Sequence, residues 1–308
     1  MANFYGSYIG YGTNAGDRVP PWDFQGSAYG WYVGGYSPTT QIRRQSFASD
    51  AHSDAGDLSF LLTHGYSGHS ATNKLKGYHS GNSAGVDSTI IDMWDMASSG
   101  NAADVGDLLI ASAFSGGHSN GTYVWNVGGE ISGGTIDIIQ NWAVATNGTA
   151  VDHGNLTRDA AYAGCTNSKT HGYTHQGSAG PQTNIIDKHV FATSADATDV
   201  GDCLDTHNGG HGNSSLTYGY TQGGTPATDR ISKYPFASDS GASDVGNMQV
   251  SRGYRAPCSG IDYGYGAGGW NPSISDADKY PFASDSDAAD VGNVAGSTAM
   301  MGGTQSDV

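Results

Sequence analysis

The hydrophobic positions of this chain fall in short runs and form no long helical stripes. No window carries Leu, Ala, Glu and Lys at a sustained 3.6-residue spacing. Aromatic segments that end in glycines recur instead: YGWYVGG at 29–35, YVWNVGG at 123–129 and YGYGAGG at 263–269. The segments between them are rich in Gly, Asn and Asp, which supply the positive-φ positions of turns. The pattern predicts many short strands joined by tight turns.

One motif recurs through the whole chain. The stretch KYPFASDSGASDVGN at 233–247 returns almost unchanged as KYPFASDSDAADVGN at 279–293. Its core, Asp-x-Gly-Asp/Asn, occurs six times, and subtraction of the glycine numbers gives spacings of 50, 48, 47, 45 and 46 residues. An apolar residue lies ten positions before each glycine except in the first copy, where Phe47 is nine positions before Gly56. A near-constant period of this length predicts a repeat architecture.

Each repeat contains about four predicted strands. After the aromatic strand comes a loop, then a strand such as RISKYPFAS (230–238), then the Asp-x-Gly turn. A further short strand such as MQVSR (248–252) leads to a small-residue stretch such as GYRAPCSGI (253–261). Four strands in 40–50 residues are typical of one β-propeller blade. A lone sheet of this size cannot bury both faces, whereas radially stacked sheets cover each other.

The two ends of the chain predict how the ring closes. The C-terminal STAMMGGTQSDV stops where the other repeats begin their aromatic strand, and the N-terminal GSAYGWYVGG begins at that strand. The last residues should therefore supply the first strand of a blade whose other strands come from the beginning. We predict an all-β, six-bladed propeller of four-stranded blades over residues 26–308, with residues 1–25 as an N-terminal arm or cap.

Composition and charge exclude several classes of function. The formal net charge is −16, with 13 Lys and Arg scattered among 29 Asp and Glu, so a basic patch for nucleic acid is not expected. Three cysteines cannot form a complete disulfide framework, which favours synthesis in a reducing cytoplasm. The start of the chain lacks the pattern of a signal peptide, and no apolar run is long enough for membrane insertion.

No catalytic motif is present in the sequence. There is no Gly-x-Ser-x-Gly, His-Glu-x-x-His or P-loop pattern, and Glu130 is the only glutamate, which excludes a pair of catalytic glutamates. The repeat accounts for the many aspartates. We therefore expect a protein that is not an enzyme and that needs no cofactor.

The recurring Asp and Gly are interpreted as structural. The Asp side chain should cap a short turn while the Gly adopts a left-handed conformation. A calcium site is the alternative, because Asp285, Asp287, Asp290 and Asn293 are close in sequence, but most copies lack the second Asp. The residues of this predicted turn are Asp54, Gly56, Asp104, Gly106, Asp152, Gly154, Asp199, Gly201, Asp244, Gly246, Asp290 and Gly292.

Superposition of the small-residue stretches suggests a second candidate site. It places one polar residue per blade at an equivalent position facing the channel: His69, His118, Cys165, His211, Cys258 and Gln305. Such a ring could hold a metal such as zinc. The favoured interpretation is a polar position facing channel water, with no metal bound. The remaining histidines are expected at the surface.

The aromatic residues are assigned by their predicted position. Tyr29, Tyr123, Tyr218 and Tyr263 lie in predicted strands and are expected in the core between blades. Tyr36 and Trp270 directly follow a Gly-Gly pair and should lie in loops, where aromatic side chains commonly contact partners.

The repeat resembles two known groups. Kelch blades end their second strand with Gly-Gly, as at 34–35, 128–129, 223–224 and 268–269, and follow it with an aromatic strand, matched by Tyr234 and Tyr280. The usual kelch Trp is replaced here by the Asp-Val-Gly motif. Residues 218–247 also resemble repeats of structural proteins from marine bacteriophages of the cyanophage type, which alternate FASD…DVG[DN] with YGYxxGG.

The phage resemblance implies a functional hypothesis. It predicts a non-enzymatic virion component, in a tail fibre, tail tip or capsid surface, that contacts the host surface or other virion proteins. The alternative is a soluble, lectin-like propeller that binds glycans. The loops after Gly-Gly differ between blades (YSPTT, EISGG, TPATD, WNPSI), which favours protein contact over a repeated sugar site.

Overall fold

The structure is a computed structural model that describes residues 26–35, 39–62, 69–70, 75–81, 88–132, 134–178, 180–270, 275–294 and 301–306. The arm predicted at 1–25 lies outside these residues. All regular structure in the described residues is β, in 24 strands. Within this part of the chain there is no helix with the length and apolarity of a membrane span.

The strands form six four-stranded antiparallel sheets. Blade 1 contains β24, β1, β2 and β3, and blades 2 to 6 follow in chain order as β4–β7, β8–β11, β12–β15, β16–β19 and β20–β23. The bounds are β1 (Tyr29–Gly34), β2 (Thr39–Ser46), β3 (His52–Leu62), β4 (His69–Ser70), β5 (Lys76–Ser80), β6 (Ser88–Asp95), β7 (Ala103–Ser112), β8 (Gly116–Ser119), β9 (Tyr123–Ile131), β10 (Gly134–Ala143), β11 (Val151–Asn155), β12 (Gly164–Asn167), β13 (His171–His175), β14 (Thr183–Val190), β15 (Thr198–His207), β16 (His211–Ser214), β17 (Tyr218–Gln222), β18 (Arg230–Pro235), β19 (Ser243–Asn247), β20 (Ala256–Ser259), β21 (Tyr263–Ala267), β22 (Asp276–Pro281), β23 (Ala289–Asn293) and β24 (Met301–Ser306).

The ring closes as predicted. The C-terminal strand β24 pairs antiparallel with β1, so that blade 1 combines both ends of the described propeller. The innermost strands of successive blades contact each other in one cycle, which runs from β4 through β8, β12, β16, β20 and β24 back to β4. The prediction of a six-bladed propeller with a shared closing blade is confirmed.

Aromatic side chains fill the space between blades, but they are not the tyrosines that were predicted. Tyr123 and Tyr263 keep 40% and 38% of their surface exposed, whereas Trp125 and Tyr265, two residues later, are buried. Residues i and i+2 of a strand share a face. The earlier tyrosine therefore points toward the neighbouring blade as expected, but it lies at the end of its strand, at the rim. Tyr29 and Tyr218, the other two predicted core tyrosines, are also only partly buried.

The recurring Phe of the motif packs between blades, as predicted. Its ring stacks on the second-strand aromatic of the preceding blade. The ring centroids are 4.4 Å apart for Phe191 and Trp125, and 4.8 Å apart for Phe236 and Tyr173. Each such aromatic pair adds about 0.5–1.5 kcal/mol beyond the burial of its surface.

The Asp-x-Gly motif lies inside the outermost strand, not in a turn before it. In blade 5, Ile231 pairs with Gly246 and Ser232 pairs with Asp244, so Val245 is an extra residue that forms a β-bulge. In all six copies the Gly amide donates a hydrogen bond to the Asp carboxylate, with N–O distances of 2.7–3.2 Å. Residues 248–252, predicted as a strand, follow the strand as irregular chain.

The two halves of the repeated motif contact each other across the blade boundary. The amide of Ala288 in blade 6 donates to the carbonyl of Asn247 in blade 5 at 2.8 Å, and the Asn247 amide donates to Asp287 at 2.9 Å. Equivalent backbone bonds join Ala150 to Asp107 and Ala197 to Asn155, both at 2.7 Å. The motif recurs because its bulge and its FASD turn form the joint between consecutive blades.

Candidate functional site

The histidine and cysteine ring suggested by the sequence is not a set of equivalent positions. The second strand of each blade fixes the register of the innermost strand. His118 and Cys258 pair with the buried aromatic of that strand, whereas His69 and Cys165 pair with the residue after it. His211 pairs one residue further along, and Gln305 lies opposite Gly30, one residue before the aromatic. Because neighbouring strand residues point to opposite faces, the six positions do not form one ring of equivalent residues.

Two of these residues instead make polar contacts between blades. The His118 ring nitrogens are 2.8 Å from Asn167 Oδ1 and 3.0 Å from Thr174 Oγ1, both in blade 4. The Cys258 thiol is 3.1 Å from the Thr304 carbonyl in blade 1. The described part of the chain contains no group of three or more His, Cys, Asp or Glu side chains arranged to hold a metal.

The three thiols give a direct test of this packing, since Cys203 and Cys258 are buried and Cys165 is partly buried. Burial raises the pKa of the Cys165 and Cys258 thiols to about 12, and it also raises the pKa of the buried Cys203. Because the thiolate is the reactive form, we expect all three to react with 5,5′-dithiobis(2-nitrobenzoate) at pH 8 only after the protein is unfolded in guanidinium chloride. Rapid reaction of any thiol in the folded protein would contradict this packing.

A different set of equivalent residues forms the candidate site. Each described connector from the outer strand of one blade to the inner strand of the next has a left-handed residue two positions before the inner strand. These residues are Phe114 (φ 53°), Tyr162 (φ 58°), Gly209 (φ 63°) and Tyr254 (φ 57°). A bulky residue in this region is a conformational outlier that costs about 1–3 kcal/mol.

A belt of backbone hydrogen bonds links these four residues. The Tyr162 amide donates to the Phe114 carbonyl at 2.9 Å, the Gly209 amide to Tyr162 at 2.8 Å, and the Tyr254 amide to Gly209 at 2.7 Å. The belt joins consecutive blades directly before their innermost strands. Over blades 3 to 6 it therefore follows one end of the ring of inner strands, which we call the mouth.

The aromatic rings of the belt form one continuous cluster. The rings of Phe114 and Tyr162 stack with centroids 4.3 Å apart, and the Tyr254 ring is edge-on to Tyr162 at 5.9 Å. Tyr162 and Tyr254 precede the inner strands of blades 4 and 6. Their rings can make contact because the equivalent residue of blade 5, between them, is Gly209. A Cβ atom at Gly209 would lie 2.5 Å from the Tyr254 ring, so only glycine admits this arrangement.

Glu130 and Trp270 border the same mouth. Each follows a Gly-Gly pair and forms a β-bridge with the residue that precedes a belt aromatic, Glu130 with Ala113 and Trp270 with Gly253. The Tyr162 hydroxyl hydrogen-bonds to the Glu130 side chain, and its pKa is raised, first by burial and then by the Glu130 charge. Both Glu130 and Trp270 are partly exposed. Tyr36, the other predicted contact residue, lies outside the described residues.

Most of the mouth cluster was missed by sequence reasoning. Trp270 was selected because it follows Gly-Gly, and Glu130 was noted only as the single glutamate. A signal for the belt does exist, since Phe114 and Tyr162 are one repeat apart and Tyr254 follows two repeats later. The His and Cys positions of the predicted ring in the same blades lie three or four residues after these aromatic residues.

Comparison with known proteins adds no identification. No family model and no curated protein matches the chain. The candidate site therefore rests on its geometry: strained aromatic residues held by a rigid belt, with a carboxylate and two hydroxyl groups among the rings.

Proposed function

We propose that this protein is a non-enzymatic binding protein that contacts its partner through the mouth cluster. The observation that carries the proposal is the left-handed backbone at Phe114, Tyr162 and Tyr254. Strain of this kind persists where the surrounding structure presents a side chain for a function. Large aromatic side chains with a polar group are also the residues that contribute most binding energy at protein interfaces.

We further propose that the protein is a component of a bacteriophage particle, in a tail fibre, tail tip or capsid surface. The support is the resemblance of the FASD…DVG repeat to phage structural proteins, together with a blade joint that repeats while the mouth differs from blade to blade. The partner would be the host surface or another virion protein. Imaging of intact particles at residue resolution tests this: a symmetric position with the mouth against a neighbour or facing outward is expected, and particles without the chain would refute it.

Carbohydrate binding by a soluble, lectin-like propeller is the second candidate. The mouth places the Tyr162 and Tyr254 hydroxyls and the Glu130 carboxylate among aromatic ring faces. Sugar hydroxyls can hydrogen-bond to such groups while the apolar side of a sugar ring packs on an aromatic face. A glycan array that shows no binding by the purified chain would remove this candidate and leave protein contact.

The chain itself suggests a variant that removes the rings and keeps the fold. Replacing Phe114 and Tyr162 together by glycine copies the Gly209 arrangement of blade 5, and relief of backbone strain offsets part of the lost ring packing. We expect a melting temperature within a few degrees of the original and loss of partner contact. In a phage carrying this double variant, we expect at least a tenfold loss either of chain incorporation into particles or of adsorption to host cells.

The matched control is Tyr123→Gly. Tyr123 is 40% exposed and begins a second strand at the rim opposite the mouth, so its removal should change neither incorporation nor adsorption. Normal incorporation and normal adsorption of the double glycine variant would contradict a role of the mouth in contact.

A further inference from the structure

A cavity lies at the seam where blade 6 meets blade 1. It has a volume of about 210 Å³, and its lining includes three aromatic residues from the two blades. The residues that bear on its chemistry are Ser27, Phe47, Asp262, Tyr263 and Tyr265. It is smaller than the roughly 300–1,000 Å³ of pockets for drug-sized ligands, so it suits a single ring-sized group.

The cavity coincides with the one shortened turn among the blades. The turn between the third and fourth strands spans five residues in blade 1, 47–51, and seven in the other blades, such as 236–242 in blade 5 and 282–288 in blade 6. One of the two residues of difference is missing from the sequence between Phe47 and Gly56, and the other is part of β3, which begins four residues before its motif glycine instead of three. The seam therefore differs from the other blade boundaries in the sequence itself.

The shortened turn also leaves a tyrosine hydroxyl without its usual partner. Tyr173 and Tyr220 donate to the carbonyls of Phe236 and Phe282 in the next blade, at 3.5 and 3.4 Å. Their equivalent at the seam is Tyr265, which lines the cavity. A molecule in the cavity can therefore hydrogen-bond to this hydroxyl.

The charges around the cavity restrict what can occupy it. Lys279 pairs with Asp50 at 2.7 Å and lies 5.2 Å from the centre of the Tyr263 ring. Asp262 is exposed at the rim, and its charge and that of Asp50 both act on the Tyr265 hydroxyl. Two carboxylates and one ammonium group therefore surround the cavity, and their net negative charge disfavours an anion. Three aromatic side chains, two hydroxyls and a carboxylate acceptor together suit a neutral ligand with several hydroxyl groups.

We propose that the seam cavity binds one neutral pyranose unit of a glycan. The sugar ring packs against Tyr263, which is 38% exposed, and one sugar hydroxyl hydrogen-bonds to Tyr265. Asp262 at the rim accepts from a second hydroxyl. The inference rests on the carbohydrate-binding candidate above, but it uses a site between blades 1 and 6 that shares no residue with the mouth.

The test is a titration of the purified full-length chain with glucose, galactose, mannose, fucose and N-acetylglucosamine, followed by NMR. We expect saturable binding of at least one sugar, with amide shifts at Gly26 and Gly260, and weaker binding of glucuronic acid than of glucose. Tyr265→Phe removes only the hydroxyl and should weaken binding about 3–10-fold, the value of one hydrogen bond. Tyr220→Phe, at the equivalent position in blade 5, should leave binding unchanged.

The outcomes separate this site from the mouth. Sugar binding that survives in the Phe114→Gly/Tyr162→Gly variant and weakens in Tyr265→Phe supports the seam. Binding that is lost in the mouth variant and retained in Tyr265→Phe overturns the seam and leaves carbohydrate binding at the mouth. Absence of saturable binding for all five sugars overturns the seam proposal, whereas the proposal of protein contact through the mouth is unaffected.

Discussion

Lowering the pH from 7 to about 4.5 is expected to reduce the free energy of unfolding by several kcal/mol, through the interface between blades 3 and 4. Three buried histidines meet there, His118 and His153 from blade 3 and His189 from blade 4. A fourth buried histidine, His175, packs against Tyr234 of blade 5 on the other side of blade 4. The rings of His118 and His189 are 5.0 Å apart, and those of His153 and His189 are 5.7 Å apart. Protonation of His118 and His189 would place like charges close together in the protein interior.

The sign of the effect follows from the direction in which burial moves each pKa. Burial lowers the pKa of His118 to about 4 and of His175 to about 3, and it lowers that of His189 well below its usual value. The unfolded chain therefore binds protons near pH 6.5 while the folded protein does not. The stability from these groups is complete above pH 6.5 and is lost as the pH falls toward the folded pKa values. Each histidine contributes about 1.4 kcal/mol for every tenfold difference in proton affinity between the unfolded and folded states.

Two buried carboxyl groups act in the opposite sense. Burial raises the pKa of Asp92 and Asp187, so the folded protein holds these protons more readily than the unfolded chain does. They reduce the loss of stability on acidification. A variant that changes only the histidines is therefore needed to assign the effect.

His189→Phe is the sharpest such variant. The equivalent residues of other blades are Trp142, Tyr234 and Tyr280, since all pair with the same position of the second strand. Neither ring nitrogen of His189 has a hydrogen-bond partner among the described residues, so phenylalanine should keep or raise stability at pH 7. Urea unfolding at pH 7, 5.5 and 4.5 should show a smaller acid loss than in the original chain.

Trp142→Phe is the packing control for this series. It alters a buried aromatic at the equivalent position of blade 3 without removing a titratable group, so it should shift stability by the same amount at each pH. An acid loss in His189→Phe as large as in the original chain would exclude His189 as a main source of the acid sensitivity.

The histidine cluster also shows why part of this structure could not be predicted from sequence. The period of the Asp-x-Gly motif and the matching chain ends were sufficient for the six-bladed ring and its closure, because both depend only on spacing. The histidines outside the candidate ring were expected at the surface, yet His79, His153, His175, His189 and His207 are buried. A strand residue between two blades is covered whichever face it occupies, so polarity is a weak guide to exposure here.

The candidate sites depend on register, which spacing does not fix. A shift of one residue moves a side chain to the opposite face of its blade, and an alignment with no fixed reference in the inner strand cannot detect it. The ring of equivalent His and Cys positions was predicted from such an alignment and is wrong. The aromatic belt needs both the register and the left-handed backbone of Tyr162 to be recognised. Trp270 could be selected from the sequence because the preceding Gly-Gly pair is a local marker.

Repetition and function are divided between different parts of each blade. The bulge and the FASD turn form the joints, and joints must be alike for the ring to close, so they recur nearly unchanged. The connectors at the mouth carry no such constraint: Phe, Tyr, Gly and Tyr occupy one equivalent position in blades 3 to 6. Variation at a position whose backbone is the same in blades 3 to 6 is what a single asymmetric binding surface requires.

The joint itself leads to the second large effect: Gly106→Ala is expected to lower the free energy of unfolding by about 2–4 kcal/mol. A Cβ atom at Gly106 would lie 2.2 Å from the carbonyl oxygen of Gly148 in the next blade, far inside van der Waals contact. The turn that carries this carbonyl is held against the strand of Gly106, because the Gly148 amide donates a hydrogen bond to the Val105 carbonyl at 3.0 Å. The clash can be relieved only by opening the joint, and overpacking of this kind costs about 1–3 kcal/mol or more.

Alanine substitutions at three glycines of the motif region distinguish the effect of the clash on stability from the effect of backbone strain. Gly106 has no left-handed φ, so its substitution tests the clash alone. Gly292 has φ 102° with no atom within 4 Å of the added Cβ, so Gly292→Ala tests strain alone and should cost about 1–2 kcal/mol. Gly100 has neither feature, and Gly100→Ala should stay within about 0.5 kcal/mol of the original chain. Thermal and urea unfolding should rank the losses as Gly106→Ala, then Gly292→Ala, then Gly100→Ala; equal effects of the first and the last would show that close contact between blades is not what the repeated glycine provides.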